Sequence, residues 1–401
     1  MYNMNKIRNI EVVSADILND DFIVIFQPIF FLLRILGFSR VNIKYRYPSE
    51  PSTWYHVYSN FFWILNTCCL VYFFTYCGNG FTSEYANSTL KFGVLVNGIN
   101  GVLILCRNNM QRSNKICQMY VKLQKIERRL NMKNVKNVNK NIGRYSWFIV
   151  LGGCFLAFVW IVLFNTVFMR SACPPLVMLI STGIGLLAEI AEVYFIIHLV
   201  ISRVNYLNDI LRQEVLEVND PKKRANDGNL YFLMNSYESD NTSLSNEVVN
   251  ATFCILDALS DFTELFQFSL FFFVCQILAW NLVSIHSLIS SLKEQRAADI
   301  DLMLYVMPLL FNKQFIMVTL CLKGQSLTTK LEESRKLCID IVSLCLNDCK
   351  SREYAKQIIL LVEGRRNLSI YNIFTLGTRL PLHLLAVTAS YTIVLLQFAL
   401  L

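Results

Sequence analysis

Residues 380–401 run for twenty-two positions without a single Lys, Arg, Asp or Glu. As an α-helix such a run rises about 33 Å, the thickness of a bilayer's hydrocarbon core. It has to be covered on all sides, by protein or by lipid. Six other stretches are long and mainly apolar: 54–77, 85–107, 145–169, 174–203, 262–290 and 302–323. Hydrophobic residues make up 54% of the chain and charged residues 16%, which departs from a soluble globule in both respects. The expectation is an all-α polytopic membrane protein with seven transmembrane helices. An earlier apolar run, 21–37, is short and contains Pro28 and Arg34. It reads as an interfacial or re-entrant helix. The polar first 20 residues show no cleavable signal peptide.

The formal charge of +8 follows the same pattern. Segments 1–53, 108–143, 204–252 and 324–370 hold 6, 9, 4 and 8 Lys and Arg, 27 altogether. The alternating segments 78–83, 170–173 and 291–301 hold only 3. Basic residues mark the cytoplasmic side, so the N-terminus is expected inside and the C-terminus outside. Basic residues dispersed between spans also argue against a nucleic-acid partner. Segment 111–141, with Lys122, Lys125, Arg128, Arg129, Lys133, Lys136 and Lys140, reads as a helical, solvated surface facing anionic lipid headgroups. Segment 219–243 is rich in Asp, Asn and Ser and reads as a flexible loop. Helical patterns run on from the fourth span through 201–218 and into the fifth from 247, with Asp257, Asp261 and Glu264. A further amphipathic helix is expected over 328–351, from Leu331, Leu337, Ile341 and Leu344. These pieces imply a cytoplasmic helical domain.

Four domains are expected: a cytoplasmic N-terminus over 1–53, six spans over 54–323, a cytoplasmic helix with a linker over 324–379, and a last span over 380–401. None of the four His stands in a metalloprotease or nucleophile–base spacing, and no phosphate-binding Gly loop precedes a helix. The reading is not an enzyme, without cofactor. Thirteen Cys, an odd number, lie mostly in apolar stretches. Cys338, Cys345 and Cys349 lack zinc-site spacing, so no metal site is expected. Cys77 and Cys173 both lie at outer ends, where a disulfide between them could form. Asn87 opens an Asn-Ser-Thr glycosylation sequon.

Charges inside spans are the first functional candidates. Glu189 and Glu192 share one face of the fourth span, and Lys313 lies midway along the sixth. They read either as a buried Glu–Lys pairing or as a device coupling a ligand pocket to the cytoplasmic helices. In the outer halves of the spans, aromatic walls with a few polar groups suit a small organic ligand. The candidates are Trp160, Phe164 and Asn165 in the third span and Ser181 and Thr182 in the fourth. Trp280, Asn281, Ser284 and His286 follow in the fifth, and Tyr305 and Asn312 in the sixth.

In the last span Ser390, Val394, Gln397 and Leu401 fall on one helical face, with Tyr391, Leu395 and Phe398 beside them. Ser390-Tyr391, five residues, then Gln397-Phe398 resembles the TYhhhhhQF signature that closes insect gustatory receptors, with Ser in place of Thr. The layout of spans resembles that family over nearly the whole chain. The resemblance implies a taste receptor acting as a ligand-gated, non-selective cation channel in the plasma membrane, in a sensory neuron dendrite. It implies a homotetramer, or a heterotetramer with related receptors, joined through a cytoplasmic anchor domain. The last span would line the pore, with Ser390, Tyr391, Val394, Gln397, Phe398 and Leu401 as pore or gate residues. The family's pocket faces outward and takes small-molecule tastants. Sugar-sensing members often carry an acid after the motif Tyr; here it is Thr392, which points to bitter or other plant-derived compounds. The alternatives are a sugar-responsive member and a seven-span G-protein-coupled receptor. The latter requires the opposite orientation and a cytoplasmic tail after the last span.

Overall fold

The described part of each apolar run picked out in the sequence lies on a helix of its own. The computed structural model describes residues 17–72, 75, 84–110, 114–130, 132, 135–168, 174–219, 241–294, 297–344, 349–364 and 368–400. Ten helices occur among them: α1 Asp20–Ile35, α2 Thr53–Tyr72, α3 Glu84–Met110, α4 Asn114–Arg129, α5 Val135–Phe168, α6 Pro174–Asn219, α7 Asn241–Glu294, α8 Ala297–Leu344, α9 Cys349–Gly364 and α10 Arg379–Leu400. Among the described residues, three helices are long and apolar enough to cross a membrane, over Ser181–Leu216, Asn246–His286 and Arg379–Gln397. The segment 219–243 that reads as a loop falls largely on residues 220–240, outside the described residues, and α7 has begun by Asn241.

α1 shows how the sequence sets a helix and its packing. Asp20 and Asp21 open it and Arg34 closes it, each complementing the helix dipole. Gly37, at φ 79°, then turns the chain, and its N–H bonds back to Arg34 O. Phe22, Ile25, Phe26, Ile29 and Leu33 recur on one face and are buried. That face meets α5 and α6, and Phe22, Phe26 and Phe30 surround the ring of Tyr120 on α4. α1 is thus built into the core.

α6, α7 and α8 have 46, 54 and 48 residues. At 1.5 Å per residue each is roughly 70–80 Å long, more than twice a hydrocarbon core. Their continuations pack with α4 and α9: α6 on α8, α9 on α7 and α8, α4 on α7. The helix expected over 328–351 is not separate. It is the uninterrupted end of α8, which stops at Leu344, and the expected linker after it contains α9 instead. Gly324, the residue that invites a break, is held inside α8 by a close contact. A Cβ there would stand 2.3 Å from Leu376 O, so only Gly admits the chain that leads into α10.

Two short hairpins qualify the all-α expectation. β1 Asn42–Lys44 pairs with β2 Tyr47–Ser49, and β3 Ser369–Ile370 with β4 Phe374–Thr375. Their turns place Tyr45, Arg46, Tyr371 and Asn372 at positive φ. Arg46 is tied back by an ion pair to Asp20, and its carbonyl accepts Leu18 N–H at 2.9 Å. Tyr371 packs edge-on against Phe271, 5.8 Å between centroids.

The basic segment 111–141 is corrected in part. Lys122 on α4 bonds Asp257 at 2.7 Å and Asp261 at 2.5 Å on α7, and Lys115 pairs with Glu264. Arg128 donates to Ile17 O, and Arg129 to Cys254 Sγ at 3.3 Å. Four of its cations therefore bind protein groups in place of headgroups. For Lys115 and Lys122 the reason is a matching acidic stripe on α7, 130 or more residues away in sequence.

Candidate functional site

Three apolar helices each contribute polar groups to one place. Asn97 lies on α3, Gln276 and Trp280 one turn apart on α7, and Lys313 on α8. Asn97 Oδ1 accepts hydrogen bonds from Gln276 Nε2, from Trp280 Nε1 at 3.3 Å and from Lys313 Nζ at 3.3 Å. The Lys313 ammonium also stands over the Trp280 ring, 5.0 Å from its centroid. Beside it, Gln314 Nε2 donates to Asn281 Oδ1 at 2.9 Å. Gln276 Oε1 and Ser284 Oγ are buried without a hydrogen-bond partner among the described residues. Groups of this kind in apolar surroundings cost free energy until something bonds them. The arrangement offers a cation, an aromatic face and two open polar atoms, which is binding chemistry.

Of the residues expected to bind ligand, Trp280 comes together here with Lys313, Asn281 lies beside them through Gln314, and Ser284 is buried one turn beyond Trp280 on α7. Asn312 is half-buried next to Lys313. Thr182 is buried where α6 crosses α3, with Gly101 directly against it, and Ser181 is half-buried beside it. His286 is exposed and apart. The side chains of Trp160, Phe164, Asn165, Tyr305, Asn87 and Phe398 lie outside the described residues, as do Cys77, Cys173 and Leu401. Sequence reading passes over Asn97, Gln276 and Gln314. Each is an amide inside an apolar run, and the rule applied to charges within spans finds them if widened to amides.

The expected pairing of Lys313 with Glu189 or Glu192 does not form. Glu189 takes an ion pair from Arg40 and a hydrogen bond from Ser269 Oγ at 2.6 Å. Glu192 accepts the hydroxyl of Tyr120. Gly185, one turn before Glu189, admits Phe38, whose ring would lie 2.3 Å from a Cβ at that position. The linker after α1 therefore grips two successive turns of α6, through Phe38 and then Arg40. Arg40 also donates to Leu265 O at 3.2 Å and lies 5.3 Å from the Phe266 ring centre. Further along α6, buried Arg203 pairs with Glu127 of α4, which also accepts Asn139 Nδ2 at 3.3 Å. Burial, followed by the adjacent Glu192 carboxylate, holds the Tyr120 phenol well above its ordinary range, so it donates and stays neutral. These buried charges thus form ties between α4, α6, α7 and the linker, away from Lys313.

In α10, Leu380, Leu384 and Thr388 are buried at four-residue intervals, and Thr392 and Leu395 continue that face half-buried. The remainder is apolar and exposed, including Leu382, Leu385, Val387, Ile393, Val394 and Leu396. Ser390, Tyr391, Val394 and Gln397 all lie on this outward side.

No curated protein matches the sequence. The insect olfactory receptor OR5 from Machilis hrabei has a similar structure, with a TM-score of 0.66 and 14% identity over 94% of this chain and all of that one. The same receptor in complex with eugenol gives a TM-score of 0.64 over the same shares at 14% identity. The family described as 7tm chemosensory receptor matches residues 26–401. A match of that extent reaches from α1, with its grip on α6, through the polar cluster around Asn97 to the last helix, and the chain belongs to the 7tm chemosensory receptor family.

Proposed function

We propose that this chain is a gustatory receptor acting as a ligand-gated, non-selective cation channel, opened by bitter or other plant-derived small molecules. It works as a homotetramer, or a heterotetramer with related receptors, in the plasma membrane of a sensory neuron. The observation that carries the reading is α10. Only one stripe of it packs on its own chain, and 17% of its apolar window is buried. A single subunit leaves that helix without partners on most of its circumference. Four copies around an axis would cover part of it with neighbouring subunits and turn Ser390, Val394 and Gln397 toward a pore. The continuations of α6, α7 and α8, with α4 and α9, form the cytoplasmic anchor domain where subunits meet. Asn97, Gln276, Trp280, Asn281, Ser284 and Lys313 form part of the ligand site. The eugenol complex of OR5 supports a small organic ligand. The seven apolar stretches support seven spans, and the alternation of basic residues supports an N-terminus inside.

Whole-cell recording from cells expressing the chain tests the reading, with a panel of bitter compounds and sugars. The expected result is a ligand-evoked current reversing near 0 mV without added G-protein reagents. Current that disappears on blocking G proteins, or an N-terminal tag labelled from outside intact cells, overturns it.

A further inference from the structure

Among the described residues, no carboxylate pairs with Lys313. The seven apolar stretches contain three carboxylates: Glu189, Glu192 and Glu264. All three are engaged elsewhere, by Arg40 and Ser269, by Tyr120 and by Lys115. The partners of the ammonium are neutral, an amide oxygen and an indole face.

Lys313 does not escape into water either. It lies 11 residues from one end of the stretch 302–323 and 10 from the other, about 15 Å from each, beyond the reach of a four-carbon stem. Nor does it face lipid. Phe311, Phe315, Val318 and Leu322 form the exposed side of α8, whereas Leu310, Met317, Leu320 and Cys321 are buried on the side that Lys313 shares. A cation held among apolar helices without a counter-charge is costly, and an incoming anion lowers that cost. Two further observations mark the place as open to a ligand. Gln276 is 2% exposed and Ser284 is 3% exposed, yet Gln276 Oε1 and Ser284 Oγ find no hydrogen-bond partner among the described residues.

We infer that Lys313 recognises the carboxylate of an organic-acid ligand whose apolar body lies against the Trp280 indole. The inference rests on the proposal that this cluster belongs to the ligand site. The carboxylate would take ammonium protons not used by Asn97. Ser284 Oγ–H supplies a second donor, and Gln276 Oε1 accepts from a donor elsewhere on the ligand. Neutral analogues lose the charge-assisted bond, so the site discriminates acids from their amides.

The test is the thermal unfolding of the purified full-length protein in detergent at neutral pH. Phenylacetate and hexanoate are compared with phenylacetamide and hexanamide at equal concentrations. The acids are expected to raise the unfolding midpoint, and each amide to bind at least tenfold more weakly than its acid. Lys313→Met should remove the acid-induced shift, and Lys313→Arg should keep part of it. Where Lys313→Met fails to purify, Lys313→Gln takes its place with the same expectation. Equal shifts by acids and amides, a shift that survives loss of the charge, or no shift with either acid overturns the inference. Unfolding reads binding alone. Acid stabilisation without any evoked current sinks the channel reading and leaves this one standing. Current evoked equally by acids and amides does the reverse.

Discussion

Arg40 and Glu189 are 8% and 2% exposed, so each is held by the other where water does not reach. Removing one partner leaves a buried charge uncompensated, which costs roughly 3–5 kcal/mol. Arg40→Met is therefore expected to lower surface expression and thermal stability sharply. The double variant Arg40→Met/Glu189→Gln should recover at least half of the loss, because it removes the stranded charge. Size-exclusion profiles and unfolding midpoints of the purified variants check this. A double variant as poor as the single one rules out charge compensation. Glu189→Gln alone should leave the ranking of ligands unchanged, since Glu189 bonds Arg40 and Ser269 and none of the groups around Lys313. Single residues are also where sequence reading reaches least. Trp280, Ser284 and Lys313 are legible as polar or amphipathic groups in apolar runs. Asn97, the partner of Trp280 and Lys313, is 216 residues from Lys313, and Arg40 is 149 from Glu189. Nothing in local periodicity connects positions so distant.

Elements were legible in proportion to the strength of their pattern. The long apolar runs that became α6, α7 and α10 announce themselves by composition alone. α9 does not, because Cys349–Gly364 mixes charged and apolar residues over only 16 positions. The hairpins are hidden for another reason. Their turns use Tyr-Arg and Tyr-Asn at positive φ, where Gly is the usual signal, and tertiary contacts hold them there. Close packing at Gly324 yields a prediction at this scale. Gly324→Ala sets a methyl against Leu376 O and should cost about 1–3 kcal/mol. Gly152→Ala in α5, where a Cβ meets nothing within 4 Å, should be neutral or stabilising by about 0.5–1 kcal/mol. Unfolding of both variants separates the packing cause from a general effect of removing glycine. The α6–α8 contact below it gives a pH dependence. Burial raises the Glu333 carboxyl, but hydrogen bonds from Lys330 and Arg212 outweigh it and hold it below its ordinary value of 4.5. A carboxyl lowered on folding contributes stability above its unfolded value and loses it as pH falls through the folded one. Between pH 6 and pH 3 the wild type should therefore lose more stability than Glu333→Gln. Parallel pH profiles of the two midpoints exclude the contact as a source.

At the scale of the whole molecule, α10 leaves most of its apolar surface uncovered by its own chain. Phe398 closes the motif that ends this helix. As part of the proposed channel, Phe398→Ala should pass current without ligand, and Leu396→Ala, on another face, should not. Silent Phe398→Ala channels at the surface would move the gate to Ser390 or Val394. The overall class of the protein was readable early, because a chain so apolar has few ways to fold and its basic residues alternate between segments. How the continuations of the long helices bind one another was not readable, since those contacts join α4 to α7 and α6 to α8 across long intervals of sequence.

The unbroken course of α8 has a mechanical consequence. Lys313 and Arg335 stand on one rod, 22 residues apart, about 33 Å. A stiff rod converts small angles into large displacements. A tilt of about 5° pivoting at Lys313 carries Arg335, bonded to Glu363 of α9 at 2.9 Å, through about 3 Å. Halfway down the same rod, Gly324 presses on Leu376, three residues before α10 begins. A ligand that reorients α8 at Lys313 therefore levers both ends of the link between α9 and α10.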